Sequence, residues 1–169
     1  MSRSITGFKP DQIVLITAGA SGIGRCIAER FLAQDCLVHV CDISQQSIDE
    51  FLSANPQATA SVADVSLATD VDQLFAEFEA IYDRLDVLVN NAGIAGPTAA
   101  VEDISIQDWN ATIAVDLNGP FYVTRLAVPL LKRGGGGSII NIASNAGLFG
   151  CPLRSAYTAA KWAVVGLTK

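Results

Sequence analysis

Five runs of apolar, β-rich residues recur along the chain, and segments whose apolar positions return every three or four residues separate them. The runs are residues 12–17 (QIVLIT), 36–41 (CLVHVC), 58–63, 86–90 (DVLVN) and 138–143 (SIINIA). Near-continuous apolar character is expected of parallel strands buried on both faces. After the first run, Ile23, Ile27, Phe31 and Leu32 predict a helix that ends near Gln34 and Asp35, with Asp35 in the left-handed position glycine commonly fills. Residues 44–54 predict a second. A third carries Val71, Leu74, Phe75, Phe78 and Ile81 behind a Ser66 cap. A long fourth carries Trp109, Ile113, Leu117, Phe121, Val128 and Leu131, opened by Ser105-x-x-Asp108 and ended by the glycines at 134–137. The Ala-rich stretch 154–169 predicts the last. Strands alternating with helices make an α/β fold, a doubly wound parallel sheet in a single domain over residues 12–169, preceded by a short arm at 1–11. No internal repeat or linker divides it.

The polar and small residues that interrupt this pattern gather where strands end. AGASGIG at 18–24 follows the first strand and opens the first helix. Glycines there let the backbone approach a pyrophosphate, and the helix start offers unpaired N–H groups and a positive dipole end. Asp42 closes the second strand, eighteen residues beyond Gly24. A carboxylate there can accept hydrogen bonds from an adenosine ribose and repels a 2′-phosphate, so NAD is favoured over NADP. Helix N-terminal capping is the other use for it. Asp64-Val65, NAG at 91–93 and Ser144 follow the third, fourth and fifth strands, the edge at which such sheets bind ligands.

Tyr157 and Lys161 stand four apart in a helical segment, which puts both side chains on one face. A phenol that trades protons near neutrality needs about 4 kcal/mol of support for its anion. One ammonium at ~4 Å in an effective dielectric of ~20 supplies about that much. The pair is a general acid/base device if the two heads meet. Alone it is a weak signal, since such spacing also arises as an ordinary surface pair.

Composition narrows the partners. The chain of 169 residues is 50% hydrophobic and 17% charged, enough to bury a substantial core. A formal charge of −6 with eleven scattered basic residues offers no nucleic-acid or acidic-membrane surface. The first residues lack the apolar core of a secretory signal, and no apolar run is long enough to span a bilayer, so a cytoplasmic location is expected. Cys26, Cys36, Cys41 and Cys151 have no metal-ligand spacing, and the single histidine, His39, falls on a strand; buried free thiols and no metal are the expectation.

Taken together, TAGASGIG at 17–24, Asp42, Asp64-Val65, NNAG at 90–93, Ser144 and Tyr157-x-x-x-Lys161 resemble the short-chain dehydrogenase/reductase family in order and spacing from Gln12 to Lys169. The resemblance implies a Rossmann-type fold and a hydride passing between NAD(H) and a secondary alcohol or ketone. Tyr157 would be the proton donor or acceptor, Lys161 would support its anion and hold the nicotinamide ribose, and Ser144 would orient the substrate oxygen. Thr17, Gly19, Ser21, Gly22, Ile23, Gly24, Asp42, Ile43, Asp64, Val65 and the 90–93 stretch, with Asn91, Ala92 and Gly93, would contact the cofactor. Pairing through the two long helices would give a homodimer or homotetramer.

Three departures qualify this. Ala18 stands where the family has glycine, which requires Ala18 to keep φ below zero. Asp116 stands at the family's fourth catalytic position, normally asparagine, so proton exchange is expected to be reduced but not abolished. The family continues beyond the helix carrying Tyr157, so the chain is expected to be a fragment of a longer one, with the fifth strand otherwise an open edge. Asp116 and the shortened form motivate the alternative of a noncatalytic dinucleotide-binding protein of the same fold.

Overall fold

The computed structural model describes residues 9–169, and most of the expected arm lies outside the described residues. Five strands form one parallel sheet: β1 (Ile13–Thr17), β2 (Leu37–Asp42), β3 (Thr59–Val62), β4 (Val87–Asn90) and β5 (Ser138–Asn141), in the spatial order β3-β2-β1-β4-β5. Its helices are α1 (Gly22–Leu32), α2 (Gln45–Ala54), α3 (Ala68–Glu79), α4 (Ile106–Ile113), α5 (Gly119–Arg133) and α6 (Ser155–Thr168). The doubly wound sheet is therefore as expected. β1 explains its own composition: Ile13 and Leu15 enter a core with Leu74, Phe78 and Leu130, while Val14 and Ile16 enter a second core with Phe31, Val38 and Phe51. Both faces are covered, so no position of β1 can be polar until Thr17. β5 is an edge, paired only with β4.

Local differences from the pattern have physical causes. α3 starts after Leu67 without a Ser66 cap; Ser66 lies instead in the tight turn before the helix, its N–H donating to Asp64 Oδ1 at 2.9 Å. Ile81 lies past the end of that helix and is exposed. The long fourth helix is two helices joined by a π-helical turn at Ala114–Asn118. Its buried stripe is Thr112, Asp116, Gly119, Pro120, Val123, Ala127, Leu130 and Leu131; Leu131 is buried as predicted, while most of the rest lies one position before the predicted stripe. The prediction weighted bulky residues, whereas the contact surface is built from small ones. A Cβ on Gly119 would sit 2.9 Å from the Val65 side chain, and Trp109 and Phe121 face outward. Ser105 caps α4 as expected, accepting the Asp108 N–H at 3.0 Å, and Asp35 adopts φ of 59°. All four cysteines are free, but only Cys36 and Cys41 are buried. Cys26 and Cys151 are exposed, Cys26 on the face of α1 that lines an apolar groove running to Ile140 on β5.

One buried polar chain lies away from the strand ends. His39 on β2 is wholly buried, with Nδ1 2.8 Å from Thr59 Oγ1 and Nε2 3.1 Å from Ser61 Oγ, while Tyr82 and Glu77 extend the chain. Burial lowers its pKa from 6.5 to about 4. The folded state holds neutral imidazole and the unfolded chain takes up the proton first, so stability is full above about 6.5 and falls as pH drops towards about 4. Chemical denaturation should show a loss of about 2 kcal/mol between pH 7 and pH 5, and a slope that flattens in His39→Gln. A wild-type stability that is level across that interval would contradict the assignment.

Candidate active site

The functional side chains collect along the carboxyl edge of the sheet, at the switch point between β1 and β4. Two adjoining hollows lie there, of about 210 Å³ and about 560 Å³, and Gly93 and Ile94 line both.

The smaller hollow is bounded by Ala18, Ser21, Asp42, Ile43, Asp64, Val65 and Ala92. Its floor is the turn from β1 into α1. Ala18 adopts φ of 48°, contrary to the requirement that it stay negative. The left-handed region costs a residue with a Cβ about 1–2 kcal/mol. Neighbours hold it there: Asn91 Nδ2 donates to the carbonyls of Thr17 at 3.0 Å and Ala18 at 3.1 Å, and Gly19 N–H donates to Cys41 O at 3.0 Å. A Cβ on Gly19 would press on Val40 at 2.7 Å, and one on Gly24 would collide with the Ala18 carbonyl oxygen. Gly22 differs. It has φ of 52° and open space where a Cβ would stand, so it is the backbone conformation that requires glycine there. Ser21 and Ile23 beside it are exposed at the start of α1. The Thr17 hydroxyl is occupied, accepting N–H groups of Asn91 and Ala92 at 3.0 Å each, and thereby ties the end of β4 to the end of β1. Asn90 turns inward to Thr124 and Asn141 and does not line the cleft.

Asp42 has one oxygen on Ser44 N–H at 3.2 Å and the other, Oδ2, buried without a partner. Leaving a carboxylate oxygen unsatisfied is costly, and a hydroxyl-bearing ligand in the hollow could satisfy it. The open glycine turn at the start of a helix and the orphaned Asp42 oxygen at its far side fit a dinucleotide in chemistry.

The larger hollow brings together Ser144, Tyr157, Lys161 and Arg154. Ser144 is delivered by β5, and its hydroxyl accepts the Ala146 N–H at 3.2 Å, which leaves its own proton to donate. Tyr157 and Lys161 share a face of α6 as their spacing predicts. Lys161 Nζ stands 5.5 Å from the centre of the Tyr157 ring, and no hydrogen bond joins the two side chains. The nearly buried ammonium donates instead to Ile142 O at 3.1 Å and faces Asp116 Oδ2 at 3.6 Å. Of these two contacts only the one to Ile142 is a hydrogen bond, since Asp116 Oδ2 has no hydrogen-bond partner, so two of the three N–H groups remain for a ligand.

Asp116 sits in the π-helical turn and is fully buried. Such turns redirect a side chain within an otherwise regular helix. Its Oδ1 accepts the Ile94 N–H at 2.7 Å, and Gly93 passes so close that a Cβ there would lie 3.3 Å from Lys161 Nζ. Burial raises the Asp116 pKa; the Ile94 N–H and then Lys161 oppose that rise. The sequence identified Asp116 but not its contact with the 93–94 backbone, which depends on a long-range approach. Arg154 stands just before α6 in a non-helical conformation, three positions ahead of Tyr157, and the fold brings its guanidinium over that ring.

A model of the short chain dehydrogenase family matches residues 12–169. The chain belongs to that family. An uncharacterized oxidoreductase of Thermotoga maritima is 38% identical, the match covering 94% of this chain and 63% of that protein. A trans-4-hydroxycyclohexanecarboxylate dehydrogenase of Sinomonas cyclohexanicum is 40% identical over 94% of this chain and 64% of its own length. Among solved structures, the closed form of a serine dehydrogenase complexed with NADP+ is similar with a TM-score of 0.88 at 30% identity, covering 92% of this chain and 63% of that one. The chain thus spans just under two thirds of the length of these short chain dehydrogenases.

Within the family pattern, Ala18 is the position whose side chain and backbone disagree. Ala18→Gly should stabilise the protein by about 1 kcal/mol in chemical denaturation, without moving Asn91. A destabilised variant would show that the Ala18 methyl packs usefully and that its φ carries no net cost.

Proposed function

We propose that the protein is an NAD-dependent dehydrogenase or reductase acting on a secondary alcohol or the matching ketone, with Tyr157 as general acid/base. The observation that carries this reading is the meeting of Ser144, Tyr157 and Lys161 in one hollow that adjoins the glycine turn and Asp42. Bound nicotinamide supplies the hydride chemistry. The chain's own residues manage position and the proton. Ser144 donates to the substrate oxygen, and the Tyr157 hydroxyl exchanges a proton with it. Negative charge that develops on the phenol oxygen does so beside the Lys161 ammonium, in a water-poor setting that strengthens the attraction. Asp42 receives the adenosine ribose hydroxyls, and its charge disfavours a 2′-phosphate. Thr17 and Asn91 hold the two loops at the distance the cofactor needs.

Asp116 modulates this arrangement. Its carboxylate is nearer to Lys161 than the phenol ring is, so it draws part of the ammonium's field away from Tyr157. The same observation favours the alternative, a protein that binds the dinucleotide and turns it over slowly or not at all. Trp109 and Phe121 on α4 and α5 and Trp162 on α6 face outward, which suits pairing of two copies through these helices.

Three measurements test the reading. Reduced-nicotinamide absorbance should rise with NAD+ and a panel of secondary alcohols, and Tyr157→Phe should lower kcat about a thousandfold while cofactor affinity stays nearly unchanged; NAD binding without turnover by the wild type would support the alternative. Asp42→Asn should reduce the preference for NAD over NADP by about tenfold or more, and a wild type that prefers NADP would refute the role given to Asp42. Asp116→Asn should raise turnover at neutral pH severalfold, and turnover that is unchanged or lower would refute the proposed drain on Lys161.

A further inference from the structure

Among the described residues, Arg154 is the one cation lining the larger hollow that the proposed chemistry does not use. Its guanidinium carbon lies 5.0 Å from the centre of the Tyr157 ring. Nη2 donates to the Ala95 carbonyl across the hollow, while Nε is buried with no partner. No carboxylate lies within ion-pair distance of it among the described residues, whereas Lys161 in the same hollow has Asp116. The lining of the hollow contains no aspartate or glutamate. A guanidinium has five N–H donors, and this one has a single neutral acceptor from the chain. A charge held beside an aromatic ring, partly out of water and without a counter-ion, is a place where an anion gains more than it would at the surface.

We propose that Arg154 is a specificity-determining residue that selects substrates carrying a carboxylate, so that the substrate is a hydroxy acid or oxo acid. The inference rests on the dehydrogenase reading above and refines it. The geometry also sets the spacing. Ser144 and Tyr157, the groups proposed to hold the reacting oxygen, line the same hollow as Arg154, and the guanidinium lies over the ring of that tyrosine. The carboxylate therefore belongs a few carbons from the reacting carbon within one small molecule, and a long chain separating the two would overshoot. Arginine suits this better than lysine, because its planar fork meets both oxygens of a carboxylate at once. Its single bond to the Ala95 carbonyl leaves its other N–H groups without an acceptor from the chain.

Another role for Arg154 is structural. The bond to Ala95, with the Ala99 N–H on Leu153 O at 3.0 Å, ties the 95–99 stretch to the start of α6. A brace of that kind would affect every substrate equally. The test therefore compares a matched pair on one ring, 4-hydroxycyclohexanecarboxylate and 4-methylcyclohexanol, with NAD+ and the full chain. The wild type should favour the acid in kcat/KM. Arg154→Gln should lower kcat/KM for the acid about 10- to 100-fold more than for the neutral alcohol, the worth of a charge-assisted contact, with the difference arising chiefly in KM. Arg154→Lys should restore part of the loss. Equal losses for both substrates, or a wild type indifferent to the carboxylate, would overturn the proposal. Calorimetric binding of cyclohexanecarboxylate to wild type and Arg154→Gln needs no turnover and no reaction. Carboxylate binding that the variant loses, in a protein that oxidises neither alcohol, would sustain the role of Arg154 while removing the dehydrogenase reading. No carboxylate binding by the wild type would remove the role itself. If Arg154→Gln fails to fold, wild-type inhibition by cyclohexanecarboxylate against neutral-alcohol turnover decides the same point, since absence of inhibition overturns it.

Discussion

The Lys161 ammonium, almost wholly removed from water, is the constraint on which the rest of the site depends. A buried charge without partners is untenable, since desolvation costs several kcal/mol even after the surroundings relax. Two groups answer it, the Ile142 carbonyl just beyond β5 and the Asp116 carboxylate in the π-helical turn. Those contacts join three parts of the chain that are separate in sequence. Asp116 in turn takes the Ile94 N–H, so the loop after β4 is drawn against the same point. Three elements therefore converge on one nitrogen, and the hollow between them is what remains.

The same logic explains why carboxylates act so differently at this edge of the sheet. Asp116 is buried, paired and held against Gly93, and its charge is used up within the protein. Asp42 keeps one buried oxygen without any partner. Asp64 spends an oxygen on the Ser66 N–H to shape a turn. Asp42 presents its unpartnered oxygen in the smaller hollow, which is why it carries the argument for a ribose, whereas the unbonded Oδ2 of Asp116 faces Lys161 and Asp64 lines the hollow chiefly by position. Arg154 is the cationic counterpart: a charged group in the hollow whose demand the chain itself does not meet.

Stability and function also draw on each other through strain. The Ala18 backbone sits where glycine is the usual occupant, and the Asn91 amide clamps the two carbonyls on either side of that peptide. Tertiary contacts therefore enforce what local propensity opposes, as is common where a backbone must approach a ligand. The His39 chain beneath α3 shows the opposite case, a buried polar group fully answered by Thr59 and Ser61 and remote from the hollow.

The order of elements, the parallel sheet and the gathering of Gly22, Gly24, Asp42, Ser144 and Tyr157-x-x-x-Lys161 at one sheet edge were all determined by the sequence alone. Each rests on short-range rules: two-faced burial makes a strand uniformly apolar, helical spacing puts residues four apart on one face, and strand ends collect at a common edge. The tertiary structure decided what those rules do not reach. It buried small residues of α4 and α5 where bulk suggested Trp109 and Phe121, and it forced Ala18 into the left-handed region. It also gave Lys161 to Ile142 and Asp116 before Tyr157, and left Arg154 without a counter-ion. These outcomes depend on which distant groups arrive within a few ångströms of each other, and on how much water their arrival excludes; a linear pattern of residue types contains neither quantity.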